Sequence, residues 1–453
     1  MLRLGPLVAL LIGLLAGPTS AQSPAQDRAD ALGIGINVSW LEQYWLGTPD
    51  LSTAPLWAAE FARIAEFGFQ HVRLPIVFDV YADTEPPYTI DPAIWAVVDD
   101  VVATTRDLGL MLVLDNHHGR LEDTNFEEEL PRHVAILAQL AERYADTDPD
   151  RVLLELYNEP HDLSNERWHT FLRAAIDTMR QAAPTHTLVY GGINYNGVEG
   201  LELLDPTLDD NVVYALHIYD PLIFTHQGAG WVQPEAATTG IPFPYDAATM
   251  PPLAAEAVGT DAEFLYAAYP EQGTPAYVRG RVERAVAWAQ THAVPVWLGE
   301  FGTLKFFADN ESRVIYTQTL VDAARDTGMS YAYWEWNEGF GVFDGPPTLP
   351  MNVDDANERL LSALGVTVVS EEGATPPVAA GLQVYPNPSA GRLVLEGERL
   401  ERGGVFDVLG RQVATFNARG AARFEVTLPS TPGVYVLRVA TADGTTTQRV
   451  VRQ

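Results

Sequence analysis

The 453-residue sequence predicts an α/β fold, a (β/α)8 barrel followed by a small all-β domain, on three observations. Eight short apolar runs alternate with helix-like stretches between Leu32 and Gly341. Two of those runs end on an isolated Glu, at 159 and 300. After Gly365 the texture changes to brief β-type runs broken by Gly and Pro. Strands that alternate with helices pair in parallel through right-handed crossovers. Eight such repeats close into a barrel of the TIM type.

The apolar runs are residues 33–40, 71–78, 110–117, 152–158, 187–192, 212–219, 294–302 and 331–337. Between them, apolar residues at three- and four-residue spacing predict helices over 58–67, 94–108, 133–144, 166–182, 277–292 and 311–327. A long insertion, residues 220–275, follows the sixth run and therefore belongs to the carboxyl-terminal face, as a loop or lid. In the tail, runs at 382–385, 392–396, 404–407, 412–416, 422–428, 434–440 and 446–452 predict a small β-sandwich.

Composition sets the surrounding bounds. The chain is 47% hydrophobic, 10% aromatic and 19% charged, a globular profile, with a formal net charge of −32. That charge excludes nucleic acid as a partner and disfavours anionic polysaccharides. Lys305 is the sole lysine; a salt-rich habitat or a GC-rich genome accounts for that bias equally well. Without cysteine there is neither disulfide nor thiolate metal site. Residues 1–21 read as a signal peptide: Arg3, an apolar stretch from Leu7 to Ala16, then Thr19-Ser20-Ala21. The expected division is thus 1–21 signal peptide, 22–366 barrel, 367–380 linker and 381–453 β-sandwich, in an exported, secreted or surface-held monomer.

The chemistry is carried by polar residues at the ends of apolar runs. Glu159 follows 152–158 and Glu300 follows 294–299. Two carboxyl groups at a barrel mouth are what glycoside hydrolysis requires, one to protonate the leaving oxygen and one to attack or to activate water. Asn158 can donate to a sugar hydroxyl. His117 and His118 could instead bind a metal, but no further ligands follow at a convincing spacing, so neither metal nor cofactor is expected.

Six motifs in order resemble glycoside hydrolase family 5, the cellulase and mannanase family. They are Arg73-Leu-Pro75, Asn116-His117-His118, Asn158-Glu159-Pro160, His217-Ile-Tyr219, Gly299-Glu300-Phe-Gly302 and Tyr333-Trp334-Glu335-Trp336. The resemblance covers roughly residues 32–345. It implies a retaining endo-β-glycosidase acting on β-linked polysaccharide, most simply β-1,4-glucan, with mannan or another β-glucan as the alternative. A catalytically silent glycan-binding protein would have lost Glu159 or Glu300.

By the same resemblance Glu159 is the acid/base and Glu300 the nucleophile. Arg73 and Tyr219 hold Glu300, and His217 tunes Glu159. His117 and Asn158 bind sugar hydroxyls, with His118 beside them. Trp334 is the sugar platform, preferred over Trp336, and Trp40, Tyr44, Trp45, Tyr195 and Trp231 are further aromatic candidates. In the tail, Val384-Tyr-Pro-Asn-Pro-Ser389, residues 405–411 and residues 433–438 resemble the sorting domain of type IX secretion cargo. The partner implied there is the secretion machinery; a sugar-binding module would offer more exposed aromatics.

Overall fold

The computed structural model describes residues 23–43, 49, 51–117, 119–345, 347 and 349–366, and, in the tail, 383–385, 389, 391–406, 412–431, 433–441 and 444–452. The expected signal peptide and linker lie outside these residues. The chain divides into two compact units, residues 1–367 and 368–453.

In the first unit, eight parallel strands close on themselves in sequence order. They are β1 (Ile34–Asn37), β2 (His71–Ile76), β3 (Met111–Asn116), β4 (Val152–Glu155), β5 (Leu188–Tyr190), β6 (Val212–Ile218), β7 (Val296–Phe301) and β8 (Tyr331–Tyr333). The ring closes through Ile34↔Tyr331, Gly35↔Ala332 and Ile36↔Tyr333. All six expected helices form, over Ala54–Phe67, Pro92–Leu108, Phe126–Tyr144, Asn165–Ala182, Pro275–His292 and Asn310–Thr327. Their ends are chemically marked. Asp91, Thr274 and Asp309 accept from backbone N–H groups of the first turn, while Gly68, Gly109 and Gly328 end helices at left-handed φ.

Strands β4 and β8 are shorter than the apolar runs suggest. The ladder stops at Glu155 and Tyr333, so Asn158, Glu159 and Trp334–Trp336 sit in the loops that leave the strands. The insertion is partly ordered into helix: Leu222–Thr225 follows β6 and Ala262–Gln272 precedes Pro275–His292. Ala229, Val232 and Ala236 of the insertion pack with Leu304, Phe340, Tyr219 and Trp334, which anchors it to the loops after β7 and β8.

Along β3, β4 and β6 the inward-facing row turns from apolar to polar or charged as it rises. Met111, Val113, Leu153, Val189, Val213, Ala215, Trp297 and Ala332 form one buried cluster with Ala25, Ala29 and Leu32. These last three belong to a helix, Pro24–Leu32, that seals the amino-terminal end of the barrel. The His71 imidazole crosses this floor edge-on to Trp297, and only a glycine at 35 leaves room for it: a Cβ there would lie 2.1 Å from His71 Cε1. Two residues above them, the inward positions are Arg73, Asp115, Glu155 and His217.

The second unit is one antiparallel sheet of β9 (Gln383–Tyr385), β10 (Arg392–Phe406), β11 (Gln412–Thr427), β12 (Gly433–Thr441) and β13 (Gly444–Arg452). The seven expected runs become five strands because β10 and β11 each contain two of them. Register shifts between Glu396 and Arg402 let β10 pair with β9 at its start and with β12 at its end. Leu393, Leu395 and Val426 from one half share a core with Val405, Leu437 and Val439 from the other. The expected small all-β domain is thus a single five-stranded sheet whose two halves share one core.

Candidate active site

Arg73, midway along β2, is the hub of the charged groups below the barrel mouth and is fully buried. It reaches Glu300, as the resemblance implies, and two further carboxylates. Its Nη1 lies 2.5 Å from Glu300 Oε1, its Nε and Nη2 lie 2.7 and 2.9 Å from the two Glu155 oxygens, and Nη2 lies 2.9 Å from Asp115 Oδ2. Nη2 also donates to Asn158 Oδ1 (2.8 Å) and Nη1 to Asn37 Oδ1 (3.1 Å). Burial opposes the guanidinium's charge, but Asp115, Glu155 and Glu300 outweigh it and hold Arg73 well above its ordinary value.

Glu300 is set beside His217 by a slip in the ladder. Leu216 pairs with Leu298 but His217 pairs with Glu300, leaving Gly299 as an extra residue. Glu300 is buried and accepts from Tyr219 Oη at 3.0 Å as well as from Arg73. Burial pushes its carboxyl up; His217, Arg73 and Tyr219 pull it down, and the Glu159 charge adds to the upward push. Burial, with Glu300 next in order, raises Tyr219 well above its ordinary range, so it stays a donor.

Glu159 sits in the turn after β4 at a φ of +47°, a left-handed conformation uncommon for a residue with a side chain. Its side chain is more open than that of Glu300, 25% against 5% exposed. Glu159 Oε1 lies 2.7 Å from His217 Nδ1. Burial lowers His217 to about 4, so the imidazole is neutral at neutral pH. One donor atom each from Glu159, His217 and Glu300 fall within 4.8 Å of one another.

His117 closes the other side. Its Nδ1 lies 2.6 Å from Asp115 Oδ2, its Nε2 lies 3.4 Å from Asn158 Nδ2 and 3.9 Å from Glu42 Oε2, and its ring stacks on Trp334 at 5.6 Å and 8°. With Asn158 Oδ1 engaged by Arg73, the Asn158 amide nitrogen is left as a donor to the cleft. Trp334 is half-buried, while Trp336 is fully buried among Phe67, Phe69 and Phe343 and donates to Glu60 Oε2 at 2.9 Å. The two tryptophans do not share a face because β8 has already ended at Tyr333.

Of the remaining aromatic candidates, Trp40 is core, packed on Trp57 and Phe61. Tyr195 is exposed and stacks on His161 at 4.8 Å, and Trp231 is exposed on the insertion. His118, Tyr44 and Trp45 lie outside the described residues. The sequence reading missed Asn37, Asp115 and Glu155, which share Arg73, and Glu42 and Glu335, whose carboxyls burial raises well above the ordinary range. A signal was present for Asp115 and Glu155: each is a carboxylate inside an otherwise apolar strand.

Among the described residues, two groups converge tightly enough to hold a cation, Glu159–His217–Glu300 in this site and Asp79–Glu129–His133 outside it. In the first, Arg73 already supplies a positive charge to Glu300.

An eight-stranded parallel barrel with two carboxyl groups converging at the carboxyl ends of its strands has the arrangement that hydrolases of glycosidic bonds require. Comparison with known proteins makes the family definite. Residues 30–339 match the family described as Cellulase (glycosyl hydrolase family 5), and the chain belongs to that family. Residues 383–453 match the secretion system C-terminal sorting domain. Endoglucanase 3 of Fibrobacter succinogenes is 28% identical over 370 residues, covering 76% of this chain and 54% of that enzyme; the chain thus spans about half of that relative's length. Endoglucanase C of Acetivibrio thermocellus is 27% identical over 321 residues, 67% of this chain and 91% of that enzyme. Among solved structures, Thermotoga maritima Cel5A in complex with mannotriose is 30% identical, covers 75% of this chain and 99% of its own, and superposes with a TM-score of 0.62. A cellobiose complex of the same enzyme gives the same figures.

Proposed function

We propose that this protein is an exported retaining endo-β-1,4-glucanase that works by double displacement with Glu159 as acid/base and Glu300 as nucleophile. The observation that carries this reading is the convergence of Glu159, His217 and Glu300 donor atoms within 4.8 Å. Retaining enzymes hold their carboxyl groups about 5–5.5 Å apart, whereas inverting ones leave about 6.5–9.5 Å for a water.

In the first step a Glu300 oxygen attacks the anomeric carbon while Glu159 gives its proton to the departing glycosidic oxygen. In the second, water attacks the glycosyl–enzyme ester, Glu159 takes the water's proton and Glu300 leaves as carboxylate. Arg73 and Tyr219 stabilise that carboxylate from two directions. A neutral imidazole can either donate to a carboxylate or accept from a carboxylic acid, so the His217–Glu159 contact suits a residue that changes protonation state. Asn158 donates to the sugar 2-hydroxyl, His117 Nε2 accepts from a neighbouring one because its Nδ1 is engaged by Asp115, and Trp334 presents its ring to a pyranose face. Residues 220–275 shape the cleft through the aromatic chain Tyr219–His226–Trp231.

Named relatives are endoglucanases, which favours β-1,4-glucan. The mannotriose complex of the Thermotoga enzyme makes β-mannan the second reading. For export, residues 1–21 direct the chain to the periplasm and the tail hands it to the type IX machinery.

Reducing-sugar release from soluble β-glucans and mannans, wild type against Glu300→Ala, tests the assignment. Equal activity of the two proteins would remove Glu300 as nucleophile, and inactivity of the wild type on every β-linked polymer would favour a binding protein. Deleting residues 381–453 should leave hydrolysis intact and block export; lost polysaccharide affinity would instead mark a binding module.

A further inference from the structure

Behind the catalytic loops lies a second cluster that the glycosidase chemistry does not use. Glu129 and His133 are one turn apart on the helix Phe126–Tyr144, and Asp79 faces them from the short helix Phe78–Tyr81 that follows β2. One donor atom from each of the three lies within 4.8 Å of the others. His133 is completely buried, yet neither of its ring nitrogens has a hydrogen-bond partner, and Glu129 Oε2, also buried, accepts no hydrogen bond. Tyr157 packs edge-on against the imidazole at 5.5 Å, and Gly119 approaches so closely that a Cβ would lie 2.3 Å from His133 Cε1. A buried imidazole with two empty nitrogens, aimed at two carboxylates, is a costly arrangement unless something binds there.

We infer that Asp79, Glu129 and His133 form a binding site for a divalent transition-metal ion such as Zn2+ or Mn2+. One imidazole nitrogen and two carboxylate oxygens make a borderline donor set of the kind these ions take, with any remaining position left to water. Arg132 fits this role as an orienting neighbour. It donates to the Asp79 carboxylate and to the carbonyls of Asp79, Ala82 and Asp83, which fixes the loop that carries Asp79. Its Nη1 also lies 3.8 Å from Glu129 Oε2, beyond hydrogen-bond reach, so one guanidinium faces two carboxylates and leaves one negative charge for the cation. A bound ion would tie the loop after β2 to the first turns of the helix after β3, directly behind Tyr157 and so one residue from Asn158. Its role is structural.

The test uses the full chain carrying Glu300→Gln, so that a cation held by the catalytic cluster is not counted. Protein stripped with EDTA is loaded with ZnCl2 or MnCl2, desalted, and measured for bound metal and thermal unfolding. The expected result is about one equivalent of Zn2+ or Mn2+ and an unfolding temperature raised by about 3–6 °C. Adding His133→Gln or Glu129→Gln should each weaken retention by at least about tenfold and cancel the rise. Glu129 is only half-buried, so its variant keeps the test readable if His133→Gln folds poorly. Retention below about a tenth of an equivalent of both ions, or undiminished retention in Glu129→Gln, would overturn the proposal.

Discussion

Along β3, Met111 and Val113 pack at the barrel floor with Leu32, Ala29 and Trp297, whereas Asp115, at the mouth, holds Arg73 and His117. The same change runs up β2 from His71 to Arg73, up β4 from Leu153 to Glu155 and up β6 from Ala215 to His217. Backbone geometry is shared by the two ends; only the inward side chains differ. At the floor, every buried apolar group adds to stability in proportion to the area removed from water. At the mouth, three carboxylates crowd one guanidinium, and desolvation raises Glu300 and Asp115 against their charged forms. The floor therefore stabilises the fold, and the mouth holds charges in a state that is useful for chemistry.

Substitutions at the two ends should separate activity from stability. The largest effect expected is on Glu300→Gln, which should lower kcat by roughly 10⁴-fold or more while leaving denaturant stability unchanged or slightly higher, since a buried charge is removed. Steady-state kinetics and urea melts on one preparation check both; a large loss of stability would break the division. At the floor, Trp297→Ala should cost about 3–5 kcal/mol of unfolding free energy in urea melts, with wild-type KM in the surviving folded fraction. Next is His71, lowered by burial to about 4. Because its folded value lies below its ordinary one, the stability it contributes is present above about pH 6.5 and lost as pH falls towards 4. Linkage sets that loss at about 3 kcal/mol, and His71→Asn should flatten the corresponding part of the stability–pH curve. The smallest effect expected is from Tyr219→Phe, which removes one of the two donors to Glu300: about tenfold in kcat, with no change in unfolding temperature.

The barrel was readable because its signals are local and periodic. Strands buried on both faces are continuous apolar runs, and the helices between them carry a three- and four-residue repeat. Strand ends were less readable: the 152–158 run continues its apolar character past Glu155, although the ladder stops there. The floor helix Pro24–Leu32 was missed, since its small apolar stripe of Ala25, Ala29 and Leu32 gains meaning only against a barrel it seals. Glu159, Glu300 and Arg73 stood out by position at the ends of runs. Asp115 and Glu155 carried only the weaker signal of a carboxylate inside an apolar run, because sharing one guanidinium is a property of three strands together. The Asp79–Glu129–His133 cluster was invisible for the same reason: its residues are 50 or more positions apart along the chain at their widest and meet only through helix packing.

The central claim is that Glu159 and Glu300 act in double displacement, and the stereochemistry of the first product tests it most directly. Proton NMR of cellohexaose or of the best polymer found, recorded within minutes of adding enzyme, reads the anomeric configuration before mutarotation. Under retention the β-anomer of the new reducing end appears first and the α-anomer grows in later. Initial release of the α-anomer would mean inversion, a water between the carboxylates and no covalent role for Glu300.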